Sequence, residues 1–76
     1  MDAKYLNYYR KLGRKIAFYR SEQNFTQEQL CELVHIEPPT LSKIENGSVG
    51  ISLDVLFSIA KVLHVPPYKF LEFDNN

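Results

Sequence analysis

The sequence predicts an all-α domain of five helices, and three observations predict it. Apolar residues recur at three- and four-residue steps through most of the chain. No segment shows the alternation of a strand, and there is no repeat or low-complexity tract. The nineteen residues Gln27 to Glu45, followed by Asn46-Gly47, read as two short helices joined by a tight turn and closed by glycine.

Helix 1 is expected at about 3–22. Tyr5, Tyr8, Tyr9, Leu12, Ile16 and Tyr19 form its apolar face, with Arg10, Lys11, Arg14 and Lys15 off that face. Gly13 weakens the interior and permits close packing. Helix 2, about 26–34, opens with a capping box, Thr26-Gln27-Glu28-Gln29. Glu28 suits the positive helix start. Leu30, Leu33 and Val34 are expected to point inward, with Cys31 on the border. His35-Ile36 is the turn, and His is among the residues enriched at positive φ. Helix 3, about 38–46, opens on Pro38-Pro39. A residue before proline resists the α region, so regular helix is expected from Pro39. Leu41 and Ile44 are its buried edge, and Gly47 is its left-handed cap.

Ser52 caps helix 4, about 52–63. Only Asp54, Ser58 and Lys61 are polar there, so burial on most sides is expected. Helix 5, about 67–72, follows Pro66-Pro67, and residues 74–76 are expected to fray.

Seventy-six residues make one domain, 1–76. So short a chain buries a small share of its surface, and self-association is expected. The single cysteine, Cys31, excludes an intramolecular disulfide and a cysteine-built zinc site; a packing role is expected of it. His35 and His64 lack a surrounding carboxylate pattern, so no metal and no cofactor are expected. There is no nucleophile–base pair and no phosphate-cradling glycine loop, which argues against an enzyme. No apolar run approaches the roughly 20 residues of a membrane span, and no signal segment is recognised, so a cytoplasmic location is expected.

Net charge is zero, but its distribution is not even. Residues 1–20 hold Lys4, Arg10, Lys11, Arg14, Lys15 and Arg20 against Asp2 alone. Residues 21–76 hold only Lys43, Lys61 and Lys69 against eight acids. The result is a dipole whose positive end either attracts a polyanion or is a solvated helix face.

From Leu12 to Leu71 the chain resembles the Cro/phage-repressor type of helix-turn-helix, the Xre family. The residues that carry the resemblance are Leu12-Gly13, Ile16 and Arg20, then Thr26-Gln27-Glu28-Gln29-Leu30 and Leu41-Ser42-Lys43-Ile44-Glu45-Asn46-Gly47. Ser52-Leu53, Leu56 and Ala60-Lys61-Val62-Leu63 complete the set. Ile51-Ser52-Leu53 and Val65-Pro66-Pro67 are similar also to the controller proteins of restriction–modification systems. The resemblance implies a five-helix, repressor-like DNA-binding bundle, bacterial or phage-encoded and usually dimeric on a palindromic operator.

By that resemblance Glu37, Pro38, Pro39 and Lys43 match positions that face base edges, flanked by Thr40 and Ser42. Prolines cannot hydrogen-bond a base but can pack on a thymine methyl; Lys43 can donate to guanine, and Glu37 can accept from a cytosine amino group. The alternative is that Pro38-Pro39 only stiffens the helix start and Glu37 only caps it. Gln27 matches a phosphate-contacting position, and Thr26 is read mainly as the cap beside it. Asn46 matches another phosphate position or is a cap. Arg10 and Arg14 are expected to reach phosphate, with Lys11 and Lys15 solvated. Arg20 and Glu45 match a pair that bridges helix 1 to the end of helix 3. The loop Ser48-Val49-Gly50-Ile51 lacks the basic residues common in relatives, so a shallow salt dependence is expected, about three to five phosphates per half-site.

Two functions follow. The first is a sequence-specific regulator of double-stranded DNA, acting as a homodimer through Val65, Tyr68, Phe70, Leu71 and Phe73 and the exposed end of helix 4. The tyrosine-rich start of helix 1 is a second candidate surface, or it packs on helix 5. The second function is a protein-interaction module, adaptor or antitoxin-like, that keeps the fold with weak or no DNA binding. Zero net charge, the bare loop and Pro38-Pro39 favour the second.

Overall fold

A computed structural model of the chain describes residues 3–73. A 3-10 turn at Ala3–Tyr5 leads into α1 (Leu6–Glu22). There follow α2 (Gln27–Val34), α3 (Pro38–Glu45), α4 (Leu53–Leu63) and a second 3-10 turn at Pro67–Leu71. No strand occurs among the described residues. The expectation for residues 74–76 lies outside them.

Two boundaries differ from expectation for local reasons. The fifth element is a 3-10 turn, so the described residues form four α-helices, not five. Five residues leave little room for i→i−4 bonds, Pro67 donates none, and the turn is closed by the three-residue bond from Lys69 N–H to the Pro66 carbonyl at 3.0 Å. Helix α3 begins at Pro38, one residue earlier than expected. Both prolines occupy positions whose N–H groups would have no helical partner. Its first bonds run from Thr40 N–H (2.9 Å) and Leu41 N–H (3.2 Å) to the Glu37 carbonyl.

All four α-helices end alike. Asn24, His35, Gly47 and His64 adopt positive φ of 62°, 60°, 79° and 57°. In each case the next residue's N–H turns back to the carbonyl five residues earlier: Phe25 to Arg20, Ile36 to Cys31, Ser48 to Lys43 and Val65 to Ala60, at 3.0–3.2 Å. This closure satisfies carbonyls that a helix end leaves unpaired. After three of the ends the following apolar residue, Phe25, Ile36 or Val65, folds onto the core. The starts of α2 and α4 are capped as the sequence predicts, whereas the Glu37 side chain makes no capping bond to α3. Thr26 Oγ accepts from Gln29 N–H at 3.1 Å, Gln29 returns the bond at 2.9 Å, and Ser52 Oγ accepts from Val55 N–H at 3.2 Å.

The core is contributed by every α-helix: Leu12 and Ile16, Leu30, Cys31 and Val34, Leu41 and Ile44, and Leu56, Ile59, Ala60 and Leu63. Phe70 belongs to it too, at 0% exposure, with its ring edge-on to Tyr19 at 5.2 Å. Phe70 therefore fills this chain's own core and has no exposed surface for the dimer contact expected of it. Leu33 is also corrected: it is 51% exposed, and Cys31 takes the inward position. Leu30 and Val34 are shared by both arcs, and the core lies on the Cys31 side of them rather than on the Leu33 side. On α4, Leu53 and Phe57 stand open, so the helix is less buried than its single polar stripe predicts. The tyrosine-rich start of α1 does pack on the C-terminal segment, through Tyr8 and Phe73 stacked at 6.0 Å.

Helix α1 crosses α3 at Gly13. A methyl group there would lie 2.4 Å from the carbonyl oxygens of Ile44 and Glu45. Backbone cannot yield that far without separating the helices. Gly13→Ala is expected to cost about 1–3 kcal/mol, seen as a fall in Tm of roughly 5–20 °C by calorimetry. Unchanged Tm would show that the two helices are not held this close.

Burial pushes the Cys31 thiol above its ordinary value of 9.0, and nearby Glu45 adds to the effect. The folded thiol thus keeps its proton at a pH where the unfolded one loses it. Its contribution is complete below pH 9.0 and is lost as pH rises beyond it. Cys31→Ala should flatten the alkaline limb of the stability–pH curve measured by urea unfolding.

Candidate nucleic-acid interface

The turn at His35-Ile36 sets α3 against α2, and α3 also lies along α1. Leu41 and Ile44 anchor α3 inward. Its other face, Glu37, Pro38, Pro39, Thr40, Ser42 and Lys43, is exposed throughout, as are Thr26, Glu28 and Asn46. The structure thus brings the expected base-facing residues onto one open face, with the start of α2 beside the end of α3.

That juxtaposition is fixed by a polar cluster. Arg20 Nε donates to Glu45 Oε2 at 2.7 Å, and Arg20 Nη2 donates to Glu45 Oε1 at 3.1 Å. Nη1 of the same guanidinium donates to the Phe25 carbonyl at 2.7 Å. Gln27 Nε2 then donates to Glu45 Oε1 at 2.8 Å. One carboxylate therefore gathers the last turn of α1 and the first residue of α2 at the end of α3. The two charged side chains are only 15% and 8% exposed, so water screens the pair weakly. A second tie, missed from the sequence, runs from Gln23 Nε2 to the Leu63 carbonyl. Gln23 carries no motif signal; only the fold brings it to the end of α4.

Several expected contacts are already engaged. Gln27 spends one amide hydrogen on Glu45 and keeps the other. Thr26 Oγ accepts within the capping box and keeps its own proton to donate. Asn46 is both cap and turn: its Oδ1 accepts from Ser48 N–H at 2.9 Å, leaving its amino group outward. Arg10 and Arg14 are exposed, while Lys11 and Lys15 are half-buried. Arg10 lies directly against Gly47, since a methyl there would meet Arg10 Cα at 2.7 Å. The backbone of α1 at Arg10 thus packs against the cap of α3.

Of the residues expected at a dimer surface, Tyr68 is 60% and Leu71 52% exposed, Val65 and Phe73 are half-buried, and Phe70 is buried. Phe57, Ala60, Lys61, His64, Val65, Pro66 and Pro67 line an open groove of about 390 Å³ beside them. Among the described residues no group of three or more His, Cys, Asp or Glu could hold a metal, and no helix is long and apolar enough to cross a membrane.

An exposed second helix braced by a first through a left-handed turn defines a helix-turn-helix protein. The family model described as "Helix-turn-helix" matches residues 16–70, and the chain belongs to that family of Xre-type, DNA-binding transcription regulators. It is 36% identical over 62 residues to "Control protein C.BamHI" of Bacillus amyloliquefaciens, covering 80% of this chain and 76% of the other. It is also 36% identical over 53 residues to the "Competence pilus inhibition repressor" of Acinetobacter baylyi, covering 70% of this chain. The match spans only 48% of that repressor. The restriction-modification controller protein C.AhdI from Aeromonas hydrophila shares the fold, with a TM-score of 0.77 at 23% identity over 80% of this chain and 92% of the other. The clp gene regulator ClgR from Corynebacterium glutamicum superposes with a TM-score of 0.79 at 26% identity, over 82% of this chain and 66% of the other.

Removing one member of the cluster should strand the others. Glu45→Ala is expected to cost about 3 kcal/mol in urea unfolding, and Gln27→Ala about 1 kcal/mol. In a double-mutant cycle the two losses should fall short of additive. Strict additivity would show that Gln27 and Glu45 do not act together.

Proposed function

We propose that the chain is a sequence-specific, double-stranded DNA-binding transcription regulator that acts as a homodimer on a palindromic operator. The observation that carries this reading is the open face of α3, held from behind by the Arg20–Glu45–Gln27 cluster. Lys43 donates to guanine O6 and N7, while Glu37, Pro38 and Pro39 meet the neighbouring base edges. Gln27, Thr26, Thr40, Ser42, Asn46, Arg10 and Arg14 hold the phosphates. In a dimer the two α3 helices lie about one DNA turn apart, roughly 34–36 Å. The exposed Leu53, Phe57, Tyr68 and Leu71, with Val65 and Phe73, support a dimer surface around α4 and the last 3-10 turn.

Enrichment of a random duplex pool near physiological salt should recover a palindrome. A folded protein that enriches nothing would instead support the protein-interaction reading, which zero net charge favours. Lys43→Ala should weaken binding at one base position by about 1–3 kcal/mol; uniform loss over all sequences would mean that Lys43 touches only phosphate. Leu71→Asp should give monomers in sedimentation, and a persisting dimer would place the interface elsewhere.

A further inference from the structure

The first turn of α3 has an unusual donor inventory. Pro38 and Pro39 have no N–H, and the N–H groups of Thr40 and Leu41 both bond to the Glu37 carbonyl. From Pro38 to Leu41 the backbone therefore offers no donor to a phosphate. The Glu37 side chain makes no capping bond to the helix it precedes and stands exposed. What this tip presents outward is a carboxylate acceptor beside two apolar rings.

We infer that this tip reads a cytosine carrying a C5 methyl group, an inference that rests on the DNA-binding reading above. Each base edge in the major groove offers a fixed pattern of groups. Thymine offers a methyl, but beside it the O4 acceptor, which a carboxylate repels. Cytosine offers the N4 amino donor without a methyl, and adenine offers its N6 donor beside the N7 acceptor, also without a methyl. Only 5-methylcytosine places a donor next to a methyl. Glu37 accepts from N4, and Pro38 and Pro39 cover the methyl. Lys43, four residues after Pro39 and so on the same side of α3, donates to the O6 and N7 acceptors of guanine. The side chains of α3 thus complement a methylated cytosine–guanine step, and C5 methylation of the operator strengthens binding.

The test is selection by the full chain from two random duplex pools, one made with cytosine and one with 5-methylcytosine throughout. The recovered half-site is then titrated with cytosine, 5-methylcytosine, thymine or uracil at the position facing α3. Burying one methyl group is expected to tighten binding about three- to five-fold per half-site, and so roughly ten-fold or more for two. Pro38→Ser combined with Pro39→Ser, checked for helix content by circular dichroism, should bring the ratio of methylated to unmethylated affinity down to about one, whatever it does to the absolute affinity. Glu37→Gln should lose the preference for cytosine over thymine, because an amide also donates to O4. Equal or weaker binding to the methylated duplex overturns the inference and leaves the regulator reading standing. A gain that survives the proline changes overturns its assignment to this tip. Failure to bind either pool overturns the regulator reading itself.

Discussion

The Glu45 carboxylate is the constraint on which the rest of the arrangement depends. It sits at the last residue of α3, yet its partners come from the end of α1 and the start of α2. The corner between α1 and α2 is thereby fixed to a point 18 to 25 residues further along the chain. The pair is mostly shielded from water, so its members cannot be exchanged for solvent without loss. The apolar core decides that the helices pack. The carboxylate helps decide their relative orientation, which is what a reading face needs, because base contacts fail over small displacements.

Gly13 is the steric counterpart of that electrostatic tie. It lets the backbone of α1 meet the carbonyls of Ile44 and Glu45, at the same end of α3 that carries the charged cluster. Close approach shortens the reach that Arg20 must span, and the ion pair holds the approach in place. The same close packing seats the backbone of Arg10 against Gly47, the cap of α3.

Much of this was legible in the residues. The capping box at Thr26, the left-handed His35, the glycine cap at Gly47 and the approach at Gly13 each follow from a local rule, and local rules survive folding. What was not legible depended on counting neighbours. Periodicity placed Leu30, Leu33 and Val34 on one face but could not tell to which side of Leu30 and Val34 the core would extend, so Leu33 and Cys31 exchanged roles. Phe70 looked like surplus apolar mass because a sequence does not show the space beside Tyr19 that it fills. The last element had a helical pattern but too few residues to close helical bonds. Within the polar cluster the Arg20–Glu45 pairing followed from resemblance, whereas the Gln27 amide and the Phe25 carbonyl emerged only in three dimensions.

The left-handed helix ends have a further consequence. Asn24, His35 and His64 occupy a conformation that disfavours side chains with a Cβ, and only Gly47 occupies it without strain. The chain thus carries a small reserve of unused stability at its corners. At Asn24 and His64 that reserve lies on turns distant in sequence from α3. Robustness and specificity are accordingly written in different residues. A lineage of such domains is free to change what α3 reads and to recover any lost stability at these corners, without one adjustment undoing the other.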